Sequence, residues 1–378
     1  MEFNYNDVLK SEKKKNIYDK TLSESEIIEK YKKGEFRIVT EQSRYPLANL
    51  KEIFSAYNLN PDYQRRRVWD VKRKSKLIES FIINVPVPPI FLYEYDFSKY
   101  EVMDGLQRLT SILEFFDDKY ALEGLDLWSE LNGKYFSNLP EEMKSAIKRR
   151  YLSGVILLKE TARDEKQEKL MKRFVFERLN TGGMELSPQE IRNAMYSSDF
   201  NERINKMAES KLFRHLWGNL NDENYKRMED CELVLRFFAY KSACKHNLAK
   251  TTSDILDLYA ERARKFEKED IKILENLFDE TINLAYYMFK DTAFKSNVNS
   301  SRSEKMVYDT VMLCCAQLIE DGQDDIFKKF DSEDLIKVKF NCIDENKAVF
   351  NGKYTAIRNV NERVELLKKS LRGYIHAI

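Results

Sequence analysis

Apolar and polar residues alternate in two different ways along this chain, and the change falls near residue 160. Before it, short apolar runs bounded by Pro, Gly or Asp are mixed with stretches of helical spacing. After it, almost every apolar position recurs at helical spacing. The pattern predicts an α+β fold, with a polar N-terminal extension at 1–35, a small mixed α/β domain at 36–160 and a mostly α-helical domain at 161–378.

The separate runs predict individual elements. Strands are expected at 36–41, 90–95, 100–103 and 154–158, and helices at 47–57, 72–84, 232–240, 255–266, 271–287 and 306–319. A further helix is expected to begin at Leu106, because Leu106, Leu109, Leu113 and Phe116 share one helical face.

Composition allows two packed cores and excludes wholesale disorder, since 43% of the 378 residues are hydrophobic. The 64 Lys and Arg residues nearly cancel the 63 Asp and Glu residues, for a formal net charge of +1. A protein that functions only by binding nucleic acid usually has a strong basic excess, so any contact of this chain with DNA or RNA must come from a local basic patch.

The cysteines and the N-terminus indicate a cytoplasmic protein. The five cysteines show no paired spacing, and Cys314 and Cys315 lie in an apolar run where buried, reduced thiols are expected. Residues 1–15 are polar, without the apolar core of a signal segment. No window approaches the roughly 18 apolar residues of a membrane span, so no membrane partner is expected.

The chemistry is expected at the strand-to-helix junction formed by residues 103–108. Asp104 sits where a helix N-cap belongs, and Gly105 lets the backbone approach what lies in front of it. A helix N-terminus with a nearby Arg108 suits a phosphate group. Asp104 is therefore expected to cap the helix, to hold Arg108, or to bind a metal that bridges to phosphate; an ordinary strand–turn–helix is the alternative interpretation.

Two flanking segments add polar groups. Gln64, Arg65 and Arg66 precede Trp69, and Glu177 and Asn180 share one face at the end of a predicted helix. Ser187, with Pro188 and Glu190, predicts a capping box at the start of the next helix.

The order of these motifs resembles a known family. The matching segments are Pro61-Asp62-Tyr63-Gln64-Arg65, Val68-Trp69-Asp70, residues 86–91, Asp104-Gly105-Leu106-Gln107-Arg108-Leu109-Thr110, residues 177–183, Ser187-Pro188-Gln189-Glu190-Ile191-Arg192-Asn193, Arg227-Met228-Glu229-Asp230 and Leu235-Arg236-Phe237. Over about residues 36–240 they resemble the DGQQR-motif family, typified by the GmrS half of the GmrSD modification-dependent restriction proteins. The resemblance implies a ParB/sulfiredoxin-like domain whose DGQQR loop binds or hydrolyses nucleoside triphosphates, in proteins that restrict modified or phage DNA.

The resemblance also implies roles for particular residues. Asp104, Gln107 and Arg108 take the catalytic positions, and Gly105 and Thr110 of the same loop contact the nucleotide. Gln64, Arg65 and Arg66 are expected to close over the phosphates, because they form a dense polar cluster beside the loop and the family places them near it. Glu177 and Asn180 are the next candidates for nucleotide binding, through metal or sugar contacts. The expected cofactor is a nucleoside triphosphate with Mg²⁺, with no resident metal site. Helix-end electrostatics and one charge-assisted hydrogen bond give about 2–5 kcal/mol, whereas micromolar binding needs about 8 kcal/mol, so the flanking groups are needed.

Two departures from the family bear on activity. Leu106 stands where the family has Gln, and the helical register assigns Leu106 to the core, which puts hydrolysis in question. His215, His246 and His376 form no HNH-type nuclease arrangement, so no such nuclease is expected in this chain.

Three functions remain open at this point. The first is a nucleoside triphosphate hydrolase coupled to DNA sensing in defence. The second is a nucleotide-switched DNA-binding or adaptor protein that needs no hydrolysis. The third is a structural partner of a separate nuclease or defence subunit.

Overall fold

The computed structural model describes residues 7–10, 23–32, 38–57, 69–158, 165–179, 187–218, 225, 227–350 and 355–377. The chain folds into two compact units. The sheet unit comprises residues 17–186, and the helical unit comprises residues 1–16 together with 187–378.

The sheet unit contains four strands and six α-helices in its described residues. They are α1 (Glu24–Lys32), β1 (Thr40–Pro46), α2 (Leu50–Ser55), α3 (Val71–Ile82), β2 (Ile90–Asp96), β3 (Lys99–Asp104), α4 (Leu106–Phe116), α5 (Glu141–Lys148), β4 (Tyr151–Leu157) and α6 (Glu165–Leu179), with short 3-10 turns at Leu47–Asn49, Ser129–Leu131 and Phe136–Asn138.

The helical unit contains eleven α-helices in its described residues. They are α7 (Pro188–Met195), α8 (Asp199–Ala208), α9 (Lys211–Trp217), α10 (Glu229–Lys245), α11 (Thr252–Ala263), α12 (Lys268–Phe289), α13 (Lys305–Glu320), α14 (Asp324–Phe327), α15 (Ser332–Glu345), α16 (Lys347–Phe350) and α17 (Ile357–Ala377), with a 3-10 turn at Lys290–Thr292. A small mixed sheet followed by a mostly helical part confirms the predicted α+β class.

The four strands form one mixed sheet in the order β1-β4-β2-β3. β4 lies antiparallel to β1 and parallel to β2, and β2 lies antiparallel to β3. Along β2, Ile90 and Leu92 belong to the core that also contains Ile112 of α4, whereas Phe91 and Tyr93 alternate to the opposite face. The sheet therefore has a first face towards α4 and a second face towards α6.

A charged contact holds α6 on the second face. Lys172 Nζ lies 2.9 Å from Glu101 Oε1 of β3 and 3.8 Å from the ring centroid of Tyr93 on β2. This contact attaches α6 to the sheet. α6 accordingly belongs to the sheet unit, which ends at residue 186, whereas the hydrophobic pattern changes near residue 160.

The core of the helical unit includes part of the N-terminal segment. Val8 and Leu9 are buried in the same cluster as Tyr240 and Phe278, and the Leu9 N–H donates to Ser242 Oγ at 3.1 Å. Two apolar residues among polar and charged neighbours form no periodic pattern. The sequence therefore predicted only a polar extension at 1–35 and gave no sign that Val8 and Leu9 are buried.

The helices agree with the sequence in the burial of two cysteines. Cys314 and Cys315 on α13 are buried and carry no disulfide, as expected. Burial raises the pKa of the Cys314 thiol to about 12. Across the described part of the chain, no helix combines the length and apolarity that a bilayer crossing requires.

Candidate functional site

The strand-to-helix junction lies where the β2–β3 hairpin meets α4. β3 ends at Asp104, which is paired with Phe91, and a register irregularity falls between Phe91 and Leu92. The pairing brings the start of β2 beside the loop, so Pro89 and Ile90 become neighbours of Gly105 and Arg108. Irregular pairing of this kind re-aims a side chain next to a functional loop.

Gly105 is required by the geometry of the junction. Its φ of 94° is left-handed, and it occupies the N-cap position of α4. A Cβ there would lie 2.5 Å from Ile90 Cγ2 and 2.9 Å from Arg108 Nη2. The sequence indicated a close backbone approach at Gly105, and the structure identifies the β2 side chain that causes it.

Asp104 and Arg108 form a partly exposed ion pair across the first turn of α4. Arg108 Nη2 donates to Asp104 Oδ2 at 2.5 Å and to the Pro89 carbonyl oxygen at 3.1 Å. The Arg108 side chain is 16% exposed and the Asp104 side chain is 40% exposed. The expectation that Asp104 caps the helix is wrong, because Gly105 occupies the N-cap position and the carboxylate holds Arg108 instead.

Gln107 joins α4 to the beginning of α3. Its Oε1 accepts a hydrogen bond from the Trp69 N–H at 3.1 Å. α3 is capped by Asp70, whose Oδ1 accepts from the Arg73 N–H at 2.8 Å. The guanidinium of Arg73 lies 4.7 Å from the centre of the Trp69 ring. The N-terminal ends of two helices therefore lie side by side, with a cation and an aromatic ring next to them.

The electrostatics of this arrangement combine two helix N-termini and two arginines with the carboxylates of Asp70 and Asp104. Each helix N-terminus carries a partial positive charge from N–H groups that have no partner within the helix. Asp104 opposes that charge, and its hydrogen bond to Arg108 offsets part of the opposition. Leu106 is 7% exposed and belongs to the core, as the helical register predicts.

The structure locates some of the predicted site residues and not others. Asp104, Gly105, Gln107 and Arg108 lie together, and Thr110 is half-exposed on α4. The backbone of Glu177 is part of α6, but its side chain is outside the described part of the structure. Gln64, Arg65, Arg66 and Asn180 also lie outside the described residues.

The motif residues beyond 186 lie in the helical unit and form a buried network. The capping box of Ser187 and Glu190 is present as predicted. Arg192 is 4% exposed, and its Nε donates to Asp257 Oδ1 at 2.7 Å while its Nη1 donates to Glu232 Oε2 at 3.2 Å. These contacts make the motif part of the scaffold of α7, α10 and α11.

Residues 86–91 and Trp69 were among the family motifs, but Pro89, Ile90 and the Trp69 N–H were not assigned to the site. The signal for Pro89 and Ile90 was available, since the tight turn between Asp96 and Lys99 sets a hairpin register that leads from Asp104 back to residue 91. The Trp69 N–H is a tertiary contact that no local pattern reveals.

Metal ligands are sparse around the junction. Within the residues that the structure describes, no group of three or more His, Cys, Asp and Glu side chains is arranged to hold a metal ion. Mg²⁺ in nucleotide sites commonly uses one or two carboxylates together with substrate phosphates, and the partly exposed carboxylate of Asp104 fits that pattern.

The part of the chain that contains the junction is similar to a known family. Residues 50–197, less than half of the chain, match the family model described as the GmrSD restriction endonuclease, N-terminal domain. The match contains the junction, α3, α6 and the capping box of Ser187 and Glu190, and it confirms the resemblance drawn from the motifs. No curated protein and no solved structure matches the chain.

Proposed function

Because residues 50–197 match the GmrSD N-terminal domain, we propose that this chain is a nucleoside-triphosphate-binding protein of DNA restriction or phage defence. The phosphates bind in front of Gly105 at the start of α4. The observation that carries this proposal is the junction itself, where a left-handed glycine and a braced arginine stand at the beginning of a helix.

Arg108 supplies the main side-chain contact in this proposal. Both of its described hydrogen bonds use Nη2, so a phosphate approaches the guanidinium from the Nη1 side. The contacts to Asp104 and Pro89 fix the plane of the Arg108 guanidinium, so the side chain loses less conformational entropy when a phosphate binds. Asp104 would hold a Mg²⁺ ion that accompanies the nucleotide, and the ion would supply positive charge that offsets the carboxylate.

The position of Gln107 favours binding over hydrolysis. A hydrolase needs a polar side chain that orients the attacking water. Gln107 Oε1 is already engaged by the Trp69 N–H, and Leu106 is buried in the core. We therefore favour a nucleotide-switched binding or adaptor protein over a nucleoside triphosphate hydrolase. An assay of phosphate release in the presence of Mg²⁺ distinguishes the two, because only the hydrolase releases phosphate.

Isothermal titration calorimetry with ATP, GTP and CTP in the presence of Mg²⁺ tests the proposal. Wild type is expected to bind at least one nucleotide, and Arg108→Ala is expected to weaken binding by about 10- to 150-fold, the equivalent of a charge-assisted hydrogen bond. Arg65→Ala tests the contact expected from the sequence in the same titration.

Arg150→Ala is the matched control. Arg150 also lies in the sheet unit and donates from Nε to a backbone carbonyl, that of Phe81, but at the other end of α3. Its substitution is expected to leave nucleotide affinity unchanged. Equal affinity of wild type, Arg108→Ala and Arg65→Ala, with unchanged circular dichroism spectra, would contradict the proposal.

A further inference from the structure

The second face of the sheet carries an apolar cavity of about 760 Å³. Its floor is formed by side chains of β2 and β4, including Phe91 and Val155, and its wall by α6, including Met171 and Phe174. The volume falls within the range of about 300–1,000 Å³ that is typical of small-molecule sites.

The cavity is separate from the junction described above. Phe91 points to the second face of the sheet, whereas its neighbour Ile90 packs against Gly105 on the first face. A ligand in the cavity and a phosphate at α4 therefore occupy opposite sides of the same strand.

The α6 wall is held by more than apolar contact. Lys172 on α6 bridges to Glu101 of β3 at 2.9 Å, and its ammonium lies over the ring of the buried Tyr93. This clamp lies one helical turn before Val175, which lines the cavity. The cavity therefore lies between two connected elements, the sheet and α6, and it is partly open to solvent.

The chemistry of the lining defines the ligand. Apart from Thr40 and Arg178, the described lining residues are all apolar, and the charged group is a cation. The Arg178 guanidinium lies 5.0 Å from the centre of the Phe174 ring, at the end of the α6 wall. A molecule with an apolar body and one anionic group matches both the walls and this end.

We propose that this cavity is a second ligand site, which binds an apolar small molecule carrying a single anionic group. Its body packs between Phe91, Val155 and Met171, and its anion meets Arg178. Neither nucleotide binding nor the defence context requires such a site, so the two proposals stand or fall separately.

Titration of the full chain with dodecanoate and with dodecanol, each kept monomeric, tests the site. Dodecanoate is expected to bind saturably with one site per chain and more tightly than dodecanol. Val155→Phe fills the floor of the cavity and is expected to weaken dodecanoate binding by about tenfold or more, a change typical of lost space in an apolar pocket. Arg178→Gln is expected to weaken dodecanoate and to leave dodecanol unchanged.

Tyr151→Trp is the matched control, because Tyr151 lies on the same face of β4 as Val155 and is 55% exposed outside the cavity. If Val155→Phe does not fold, a photoreactive diazirine analogue of dodecanoate on the wild-type chain maps the site, with labels expected on β2, β4 and α6. No saturable binding, labels elsewhere, or equal binding by wild type and folded Val155→Phe would overturn the site. Equal affinities for dodecanoate and dodecanol would overturn the ligand class.

Discussion

Two arginines of the family-like motifs, Arg108 in the sheet unit and Arg192 in the helical unit, lie in clusters that are built differently. Arg108 is 16% exposed and bound to one carboxylate that is 40% exposed. Arg192 is 4% exposed and donates to two carboxylates, those of Asp257 and Glu232, that are 13% and 21% exposed. The same residue type therefore serves a surface loop in one place and an internal scaffold in the other.

The difference follows from desolvation. A buried charge must be matched by partners within the protein, and removal of one partner leaves the other charge uncompensated. A partly exposed pair is stabilised by water as well, so it contributes less to folding and can exchange partners for a ligand. We infer that the polar groups near Asp104 are kept for binding and those near Arg192 for stability.

The largest effect is expected at Arg192. Arg192→Ala removes the buried cation that Asp257 and Glu232 share, although Lys305 still lies 3.6 Å from Glu232. The free energy of unfolding is expected to fall by about 3–5 kcal/mol, as measured by chemical denaturation. Arg203→Ala is the matched control, since its pair with Glu275 is 2.9 Å long but Arg203 is 37% exposed. A loss at Arg192 no larger than at Arg203 would contradict the scaffold role.

Gly105→Ala is expected to be next in size. The substitution combines an unfavourable left-handed φ with a close contact at Ile90, so the free energy of unfolding of the sheet unit is expected to fall by about 2–4 kcal/mol. The measurement is denaturation followed by sheet-unit hydrogen exchange. Gly133→Ala is the control, because Gly133 also has a positive φ but nothing lies within 4 Å of an added Cβ. Its loss of stability therefore measures the cost of the left-handed backbone alone. Equal losses at both glycines would show that the Ile90 contact is unimportant.

The buried amine of Lys339 contrasts with the partly exposed guanidinium of Arg108 and allows a pH test. Lys339 on α15 is fully buried and donates to the carbonyl oxygens of Thr292 and Lys295. Burial and repulsion by Lys295 lower the pKa of Lys339 to about 7 from its ordinary value of 10.5. The unfolded chain therefore binds more protons between these values, and stability is expected to rise with pH from about 7 to 10.5.

The slope from Lys339 is at most about 1.4 kcal/mol per pH unit. Lys339→Met is expected to flatten the stability profile across this window, as measured by denaturation at successive pH values. Lys337→Met, an exposed lysine on the same helix that pairs with Asp334, is expected to leave the slope in place. A Lys339→Met profile as steep as wild type would be inconsistent with a neutral buried amine.

The smallest effect is expected at Gln107. Gln107→Leu keeps the side-chain volume but removes the acceptor for the Trp69 N–H, with an expected loss of about 0.5–1.5 kcal/mol in the free energy of unfolding. Gln107→Glu retains a carbonyl-type acceptor and is expected to stay close to wild type. Thermal denaturation of the two variants measures the difference, and identical losses would argue against the link between α3 and α4.

Local patterns predicted the elements that are strongly periodic. The helix from Leu106, the β2–β3 hairpin and the four long helices expected beyond residue 230 are all present. β1 was expected at 36–41, of which residues 36 and 37 lie outside the described residues, and the strand spans Thr40–Pro46. This edge strand is polar and gains its structure by pairing with β4. The eight-residue α5 is too short to stand out in the pattern.

The candidate site was predicted in its residues but not in its contacts. Asp104 and Gly105 are both common N-cap residues, so the sequence alone does not decide between them. The choice depends on Arg108, which reaches back to Asp104, and on Ile90, which fills the space over Gly105. The Arg108–Asp104 contact is local, with a spacing of four residues. The Ile90 contact is tertiary and depends on the strand register rather than on local propensity.

Hydrogen–deuterium exchange of the full chain with and without ATP and Mg²⁺ tests whether phosphate binds at the beginning of α4. Slower exchange is expected at the amides of residues 105–109, and no change is expected in α7 or α10 around Arg192. Protection confined to the Arg192 network, or no protection of the α4 amides at a saturating nucleotide concentration, would contradict phosphate binding at α4.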